Sequence, residues 1–342
     1  MDGTMGVGLI GLGAISDAHI RALTALPGVS IAAVCDVDGE RLARASQATG
    51  GRPYADWRAL LTDPSVQAVH ILTPHYLHAP MAIEALGRGK HALTEKPMAS
   101  TLSDARALIA AADQYGCTLG VVFQNRYNRA AIQAREIVQS GEMGRLTGAM
   151  AQVCWRREGP YYAGSPWRGS LLTEGAGALI NQAIHTLDLL SYIGGPIASV
   201  RGAVFAAALQ GLIEVEDNAA AVATYAAGGR AVIHITNNYA FDRPVTLEFA
   251  MEHGAIRLEG ERLYRVGTDG AELVASGDRP VVADKAYWGS GHAALIAGFY
   301  AAIGEGKPFW LNGREGFAAL NLALSIVRSS SERRTVALEP AP

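Results

Sequence analysis

The 342-residue sequence predicts two domains: an α/β domain on a doubly wound parallel sheet, then an α+β domain with an open-faced, mostly antiparallel sheet. Three observations predict this. Up to Phe123, short apolar runs alternate with helical patterns, the mark of βαβ units. Beyond it, stretches of alternating polar and apolar residues predominate, and Gly228-Gly229 between two of them is a hairpin signal. A glycine-rich loop joins the first strand to the first helix, at the edge where open parallel sheets bind ligands. The expected domains are residues 1–123 and 124–342.

The first strand is expected at residues 5–10, followed by Gly11-Leu12-Gly13-Ala14-Ile15-Ser16 and a helix to residue 26. Gly11 permits the tight turn, Gly13 lets the backbone approach a pyrophosphate, and the helix N-terminus favours its negative charge. The third glycine position is Ser16, small but not ideal for close packing. On its own the loop could be a plain glycine turn, and its context says more. The next strand, 29–34, ends at Asp36, 23 positions after Gly13, where an acid bonds a ribose 2′-hydroxyl. No Arg or Lys follows at once, so a 2′-phosphate would meet a carboxylate, and NAD is favoured over NADP.

Helices at 38–49, 57–61, 79–88 and 103–115 then alternate with strands at 68–72, 91–94 and 118–123, and Tyr54 lies in a short strand or turn. Thr73-Pro74 and Glu95-Lys96-Pro97 therefore fall at carboxyl ends of strands, where the nicotinamide half of a dinucleotide is expected. Glu95 and Lys96 set opposite charges side by side, which costs free energy unless they are solvated or used. In the second domain a helix at 130–140 precedes strands at 145–155, 199–206, 219–226, 231–238, 245–252 and 255–259, and helices at 292–303 and 315–329 close the chain.

A further helix is expected over 174–192. Leu179, Ile180, Ala183, Ile184, Leu187 and Leu190 supply its apolar surface, while Asn181, His185 and Asp188 share one face at i, i+4 and i+7. Such a stripe either is satisfied structurally or lines a site. His185 is the candidate proton acceptor, because an imidazole titrates near neutral pH. Oxidising an alcohol removes that proton as hydride leaves, and Lys96 would orient the alcohol and stabilise the developing alkoxide. His185 and Asp188 could offer two metal ligands, but no further cluster completes a shell, so no metal is expected. Trp155-Arg156-Arg157, Tyr161-Tyr162 and Trp167-Arg168 combine aromatic faces with guanidinium donors, which suits a sugar, an anionic sugar, or a surface loop.

Composition narrows the partners. A formal charge of −3 offers no basic field for nucleic acid, and no apolar run reaches the length of a membrane span. Three widely spaced cysteines, Cys35, Cys117 and Cys154, without a metal pattern suit a reducing compartment. The start, Met1-Asp2-Gly3-Thr4, has no basic n-region, so no signal peptide is expected and the cytoplasm is the expected location.

Taken together, these motifs resemble the Gfo/Idh/MocA family of oxidoreductases. The resemblance rests on Gly8 to Gly13, Thr73-Pro74, Glu95-Lys96-Pro97, Asn125-Arg126-Tyr127-Asn128, and Gly177 to Asn181 running into His185 to Leu190. It implies an N-terminal Rossmann domain, a C-terminal open sheet used for dimer or tetramer contacts, and sugar or cyclic polyol substrates. It implies that Lys96 and His185 are the catalytic pair. It also implies that Gly11, Gly13, Ala14, Ile15, Asp36, Thr73, Pro74, His75, Glu95, Lys96 and Gln124 contact NAD, with Trp167 and Arg168 on a loop reaching the nicotinamide. Asn181, Asp188, Arg126, Tyr127, Trp155, Arg156, Tyr161, Tyr162 and Arg168 are the candidate substrate contacts. Many family dehydrogenases carry Asp where this chain has Asn181, which leaves Asp188 or Lys96 to share the proton chemistry. The same residues would serve a glycosidase that retains NAD and acts by transient oxidation and elimination, or a protein that only senses the cofactor.

Overall fold

A computed structural model describes residues 4–276 and 291–342, so residues 1–3, on which the signal-peptide expectation rests, lie outside the described residues. The chain divides into two compact units. One gathers Met1–Phe123 and takes in His292–Phe317 from the far end; the other holds Gln124–Gly291 and Ala318–Ala341.

In the first unit, six parallel strands lie in the order β3-β2-β1-β4-β5-β6. They are β1 (Met5–Ile10), β2 (Val29–Cys35), β3 (Arg52–Tyr54), β4 (Ala68–Ile71), β5 (His91–Thr94) and β6 (Leu119–Val121). Strands covered on both faces read as continuous apolar runs, and β4 is buried at all four positions. The connecting helices are α1 (Ser16–Thr24), α2 (Gly39–Thr49), α3 (Trp57–Thr62), α4 (His75–Gly87) and α5 (Leu102–Tyr115). Helix α4 starts earlier than expected because Pro74 serves as its N-cap, and Pro80 inside it does not stop it. Strand β6 is shorter than the 118–123 run, and the Val121 N–H donates to the Leu311 carbonyl.

Among the described residues, the second unit carries nine strands in the order β14-β13-β12-β11-β7-β10-β9-β8-β15, antiparallel except for the β7–β10 pair. Helices α6 (Arg129–Ser140), α7 (Gly159–Ala163), α8 (Ala178–Asn181) and α9 (Ile184–Gly194) come between or beside β7 (Leu146–Cys154), β8 (Ile197–Phe205), β9 (Asn218–Tyr225) and β10 (Arg230–Thr236). Strands β11 (Thr246–Met251), β12 (Gly254–Glu259), β13 (Arg262–Gly267) and β14 (Gly270–Ser276) complete one side, and β15 (Val336–Ala337) the other. Gly228-Gly229 joins β9 to β10 as a hairpin, both residues at positive φ. Ala219, Ala221, Ala223, Ala231, Ile233 and Ile235 face the core, while Val222 and Val232 are exposed. Helix α10 (His292–Glu305) belongs to the first unit, and α11 (Gly313–Glu332) starts in the first unit and ends in the second. Among the described residues, no helix is long and apolar enough to cross a membrane.

The helix expected over 174–192 is broken, and this corrects the picture of one continuous polar face. Residues 174–177 are not helical, and the Ala183 N–H reaches back five residues to the Ala178 carbonyl, so α8 and α9 are separate turns. Glu216, just before β9, sets where α8 starts. The Glu216 carboxylate accepts the N–H groups of Gly177 (2.9 Å) and Leu179 (3.0 Å), and its carbonyl accepts that of Ala178. A side chain at Gly177 would sit 2.0 Å from the Glu216 carbonyl oxygen, so only glycine fits this approach.

Burial pushes the Glu216 carboxyl up to about 7, although the Gly177 and Leu179 amides pull it down. Between the ordinary 4.5 and about 7 the folded chain therefore holds a proton that the unfolded chain has released. Stability from this group is present at low pH and is lost as pH rises through 7. Urea midpoints at about pH 5 and 8 should differ less for Glu216→Gln than for the wild type. An equal or larger fall in the variant would show that Glu216 is already ionised when buried.

Candidate functional site

In the first unit, the glycine loop is built for a close backbone approach. Gly11 has φ +93°, and a Cβ there would lie 2.8 Å from the Leu72 carbonyl group. Its N–H donates to the Cys35 carbonyl at 2.8 Å, tying the loop to the end of β2. A Cβ on Gly13 would meet nothing within 4 Å, so the outer side of the loop is open. Ser16, at the third glycine position, is buried and its hydroxyl donates to the Gly13 carbonyl at 2.7 Å. Ala14 is exposed and Ile15 half-buried beside it. The Asp36 carboxylate accepts the Leu12 N–H (2.6 Å) and the Asp38 N–H (2.8 Å), which holds the acid next to the loop. An open glycine turn, a helix N-terminus and a fixed acid at the next strand end fit an adenine dinucleotide.

At the neighbouring strand ends, Thr73 and Pro74 are half-buried and His75 is buried. His78 sits between them and the lysine turn, with Nε2 2.6 Å from the Thr73 carbonyl oxygen and Nδ1 2.6 Å from that of Pro97. Burial pushes the His78 imidazole below its ordinary value, against the pull of both carbonyls and of Glu95. Both partners only accept, so a neutral His78 donates to one carbonyl at a time while its ring packs between the ends of β4 and β5. Lys96 is half-buried, and its backbone N–H donates to Glu95 Oε2 at 3.2 Å. Burial pushes the Glu95 carboxyl up, but the hydrogen bond from His19, together with the nearby imidazoles and Lys96, prevails and holds it at about 2. His19, Glu95 and His292 offer donor atoms within 4.8 Å of one another, a set whose chemistry suits a divalent metal and which sequence reasoning missed.

In the second unit, Asn181 and His185 are half-buried, Asn181 ending α8 and His185 in the first turn of α9. The Asn181 amide donates to the Glu174 carboxylate, whose other oxygen accepts the Gly169 N–H. His185 Nε2 lies 3.5 Å from the Gln124 amide nitrogen, so Gln124, assigned to the cofactor by resemblance, stands beside the histidine. Asp188 departs from the expected stripe. It is 1% exposed, and both its oxygens accept from the Arg126 guanidinium, at 2.9 Å from Nε and 2.7 Å from Nη2. Arg126 is buried too and stacks 4.5 Å from the Tyr192 ring centroid. This bidentate pair braces the Gln124–Tyr127 turn against α9, so its charges are committed to each other. Tyr127 is half-buried on the same turn.

The aromatic loop divides likewise. Trp155 and Tyr162 are buried, the indole N–H donating to the Arg243 carbonyl (3.1 Å) and the Tyr162 hydroxyl accepting from Asn237 (3.1 Å). Both pack inside rather than present a face to a ligand. Arg156 is exposed and pairs with Glu158 at 2.8 Å. The half-buried Tyr161, Trp167 and Arg168 come together, with the Arg168 guanidinium 4.3 Å from the Tyr161 ring centroid and 5.3 Å from that of Trp167. Gln182 donates to the Tyr161 hydroxyl and accepts from Asn237. Neither Gln182, Asn237 nor Glu174 carried a sequence signal: Gln182 and Asn237 meet only through tertiary packing, and Glu174 through the fold of the 169–181 loop.

A parallel sheet whose loops are shaped for a dinucleotide, with a lysine at its carboxyl edge, fits a nicotinamide-dependent oxidoreductase. The chain belongs to the GFO/IDH/MocA oxidoreductase family: residues 5–123 match its NAD-binding Rossmann-fold profile and residues 131–257 its C-terminal domain. It is an NAD-dependent oxidoreductase. D-apiose dehydrogenase of Paraburkholderia graminis is 29% identical over 97% of this chain and 89% of its own length. The WlbA dehydrogenase from Bordetella pertussis, solved with NADH and UDP-GlcNAcA, is 28% identical with a TM-score of 0.86, covering 98% of this chain and 99% of its own. A levoglucosan dehydrogenase solved with NADH and levoglucosan shares the fold at a TM-score of 0.88 and 24% identity, over 98% of this chain and all of its own.

Proposed function

We propose that the chain transfers hydride between NAD and a secondary alcohol of a sugar, sugar derivative or cyclic polyol. The observation that carries this reading is Lys96, kept at the carboxyl edge of the parallel sheet beside the clamped Thr73 turn. Bound NAD supplies the hydride acceptor. Gly11, Gly13 and Asp36 hold the dinucleotide, Lys96 orients the substrate hydroxyl by charge, and His185 takes its proton. The relatives named for D-apiose, levoglucosan and inositol favour a neutral polyhydroxylated ring, while the UDP-GlcNAcA bound by the WlbA dehydrogenase keeps an anionic sugar derivative among the candidates. Tyr161, Trp167 and Arg168 offer such a ring an aromatic face and a donor.

An NAD-reduction screen over inositols, hexoses, anhydrosugars and uronic acids tests the reading. Net NADH formation with at least one class is expected. Glycoside cleavage with no change in NADH would instead indicate the NAD-retaining glycosidase, and NADH binding with no turnover a sensor.

Partner and compartment follow from other features. Val232 of β10 pairs in register with Met150 of β7 and Val222 of β9, and all three are exposed, forming an apolar row on the open sheet face. We infer a homodimer or homotetramer through this face. Val232→Glu should lower the mass seen by light scattering, and a monomeric wild type at micromolar concentration would refute the assembly. Cys35 and Cys154 are buried free thiols, which suits the cytoplasm and is checked by cell fractionation.

A further inference from the structure

Behind the lysine turn, the first unit buries a chain of titratable groups that the proposed chemistry does not use. Tyr300 of α10, His70 of β4, His19 of α1 and Glu95 after β5 are each at most 7% exposed. The Tyr300 hydroxyl lies 2.9 Å from His70 Nε2, His70 Nδ1 lies 2.8 Å from His19 Nδ1, and His19 Nε2 lies 3.2 Å from Glu95 Oε1. A carboxylate only accepts, so His19 Nε2 carries the proton between them. In the arrangement with one proton on each ring, His19 Nδ1 accepts, His70 Nδ1 donates, and His70 Nε2 accepts from Tyr300. Every hydrogen bond then points the same way, toward Glu95. Burial pushes His70 well below its ordinary value, with the neighbouring His19 acting in the same direction, which keeps that ring neutral.

We propose that Tyr300, His70 and His19 are positioning residues: through this one-way chain they fix the Glu95 carboxylate, whose second oxygen holds the Lys96 backbone N–H, and so set the lysine for hydride transfer. The inference rests on the role given to Lys96 above. The elements concerned are far apart in sequence, and the chain links helix, strand and turn where a displaced lysine would be costly. Misplacement of a catalytic group by about 1 Å can cost on the order of 10²-fold in rate. His292 faces Glu95 from α10 and His78 does so from α4, but neither is bonded to it in this chain.

The test compares three variants in kcat, KM and thermal midpoint. His19→Ala should lower kcat by about 10- to 100-fold with KM little changed. His19→Gln, whose amide nitrogen can donate where Nε2 did, should recover most of that loss. Tyr300→Phe removes only the distal hydroxyl and should cost a few-fold while keeping the fold. A His19→Ala enzyme that loses thermal stability but keeps kcat would overturn the proposal, as would a His19→Gln enzyme no better than the alanine variant. Stoichiometric zinc uptake by the wild-type protein would also overturn it, since the metal would claim His19 Nε2 and Glu95. If the wild type turns over no polyol, the role of Lys96 falls separately, and the chain is read from imidazole ¹⁵N shifts. Tyr300→Phe should then shift the His70 and His19 nitrogens; shifts unchanged by Tyr300→Phe would overturn the chain.

Discussion

Lys96→Ala should reduce kcat by roughly 10³-fold or more, equivalent to about 4 kcal/mol of transition-state stabilisation, with NADH binding largely retained. The size follows from the position. Lys96 is half-buried, and Glu95 beside it is held ionised, so the ammonium acts where water screens it poorly. Lys96→Arg separates two roles. Arginine keeps a positive charge but cannot give up its proton, so partial activity would mean that Lys96 orients and stabilises. An arginine variant as inactive as the alanine one would mean that Lys96 also moves a proton. Steady-state kinetics on the best substrate, with NADH affinity from fluorescence, decide between them, and an alanine variant within tenfold of wild type would remove Lys96 from the mechanism.

The position of Lys96 was legible because the first unit is regular. Each βα unit declares itself through a buried run and a helical pattern, and the run at His91–Thr94 is the strand that delivers Glu95 and Lys96. Asp36 was legible for the same reason, standing one residue past β2. The second unit hid more. Strands β13 and β14 escape pattern reading because most of their residues are exposed and offer no buried face. The break between α8 and α9 has no proline or glycine at Gln182-Ala183 to announce it, and the late start of α8 depends on Glu216, which spacing along a helix cannot reveal. The buried pair of Arg126 with Asp188 and the chain from Tyr300 to Glu95 were hidden likewise, since tertiary packing alone brings those residues together.

His185→Ala should lower kcat by roughly 10²–10⁴-fold if the imidazole takes the hydroxyl proton, and added imidazole should restore part of the rate. Near-normal turnover without rescue would assign the proton to another group. The surroundings say what supports this histidine. Asp188 has both oxygens on Arg126, so it is a poor substitute for the aspartate that the family pattern expects at position 181. Asn181 instead holds its amide against the buried Glu174. The family pattern therefore cannot be restored by Asn181→Asp alone. That change would set two carboxylates at hydrogen-bonding distance in a buried setting, where one must keep its proton. The single variant should lose stability and activity. Asn181→Asp with Glu174→Gln replaces the repulsion by an amide–carboxylate bond of reversed direction and should recover the fold, with kcat at or above the single variant. If Asn181→Asp alone is as stable and active as wild type, Glu174 is not an ionised neighbour, and the histidine draws its support from elsewhere.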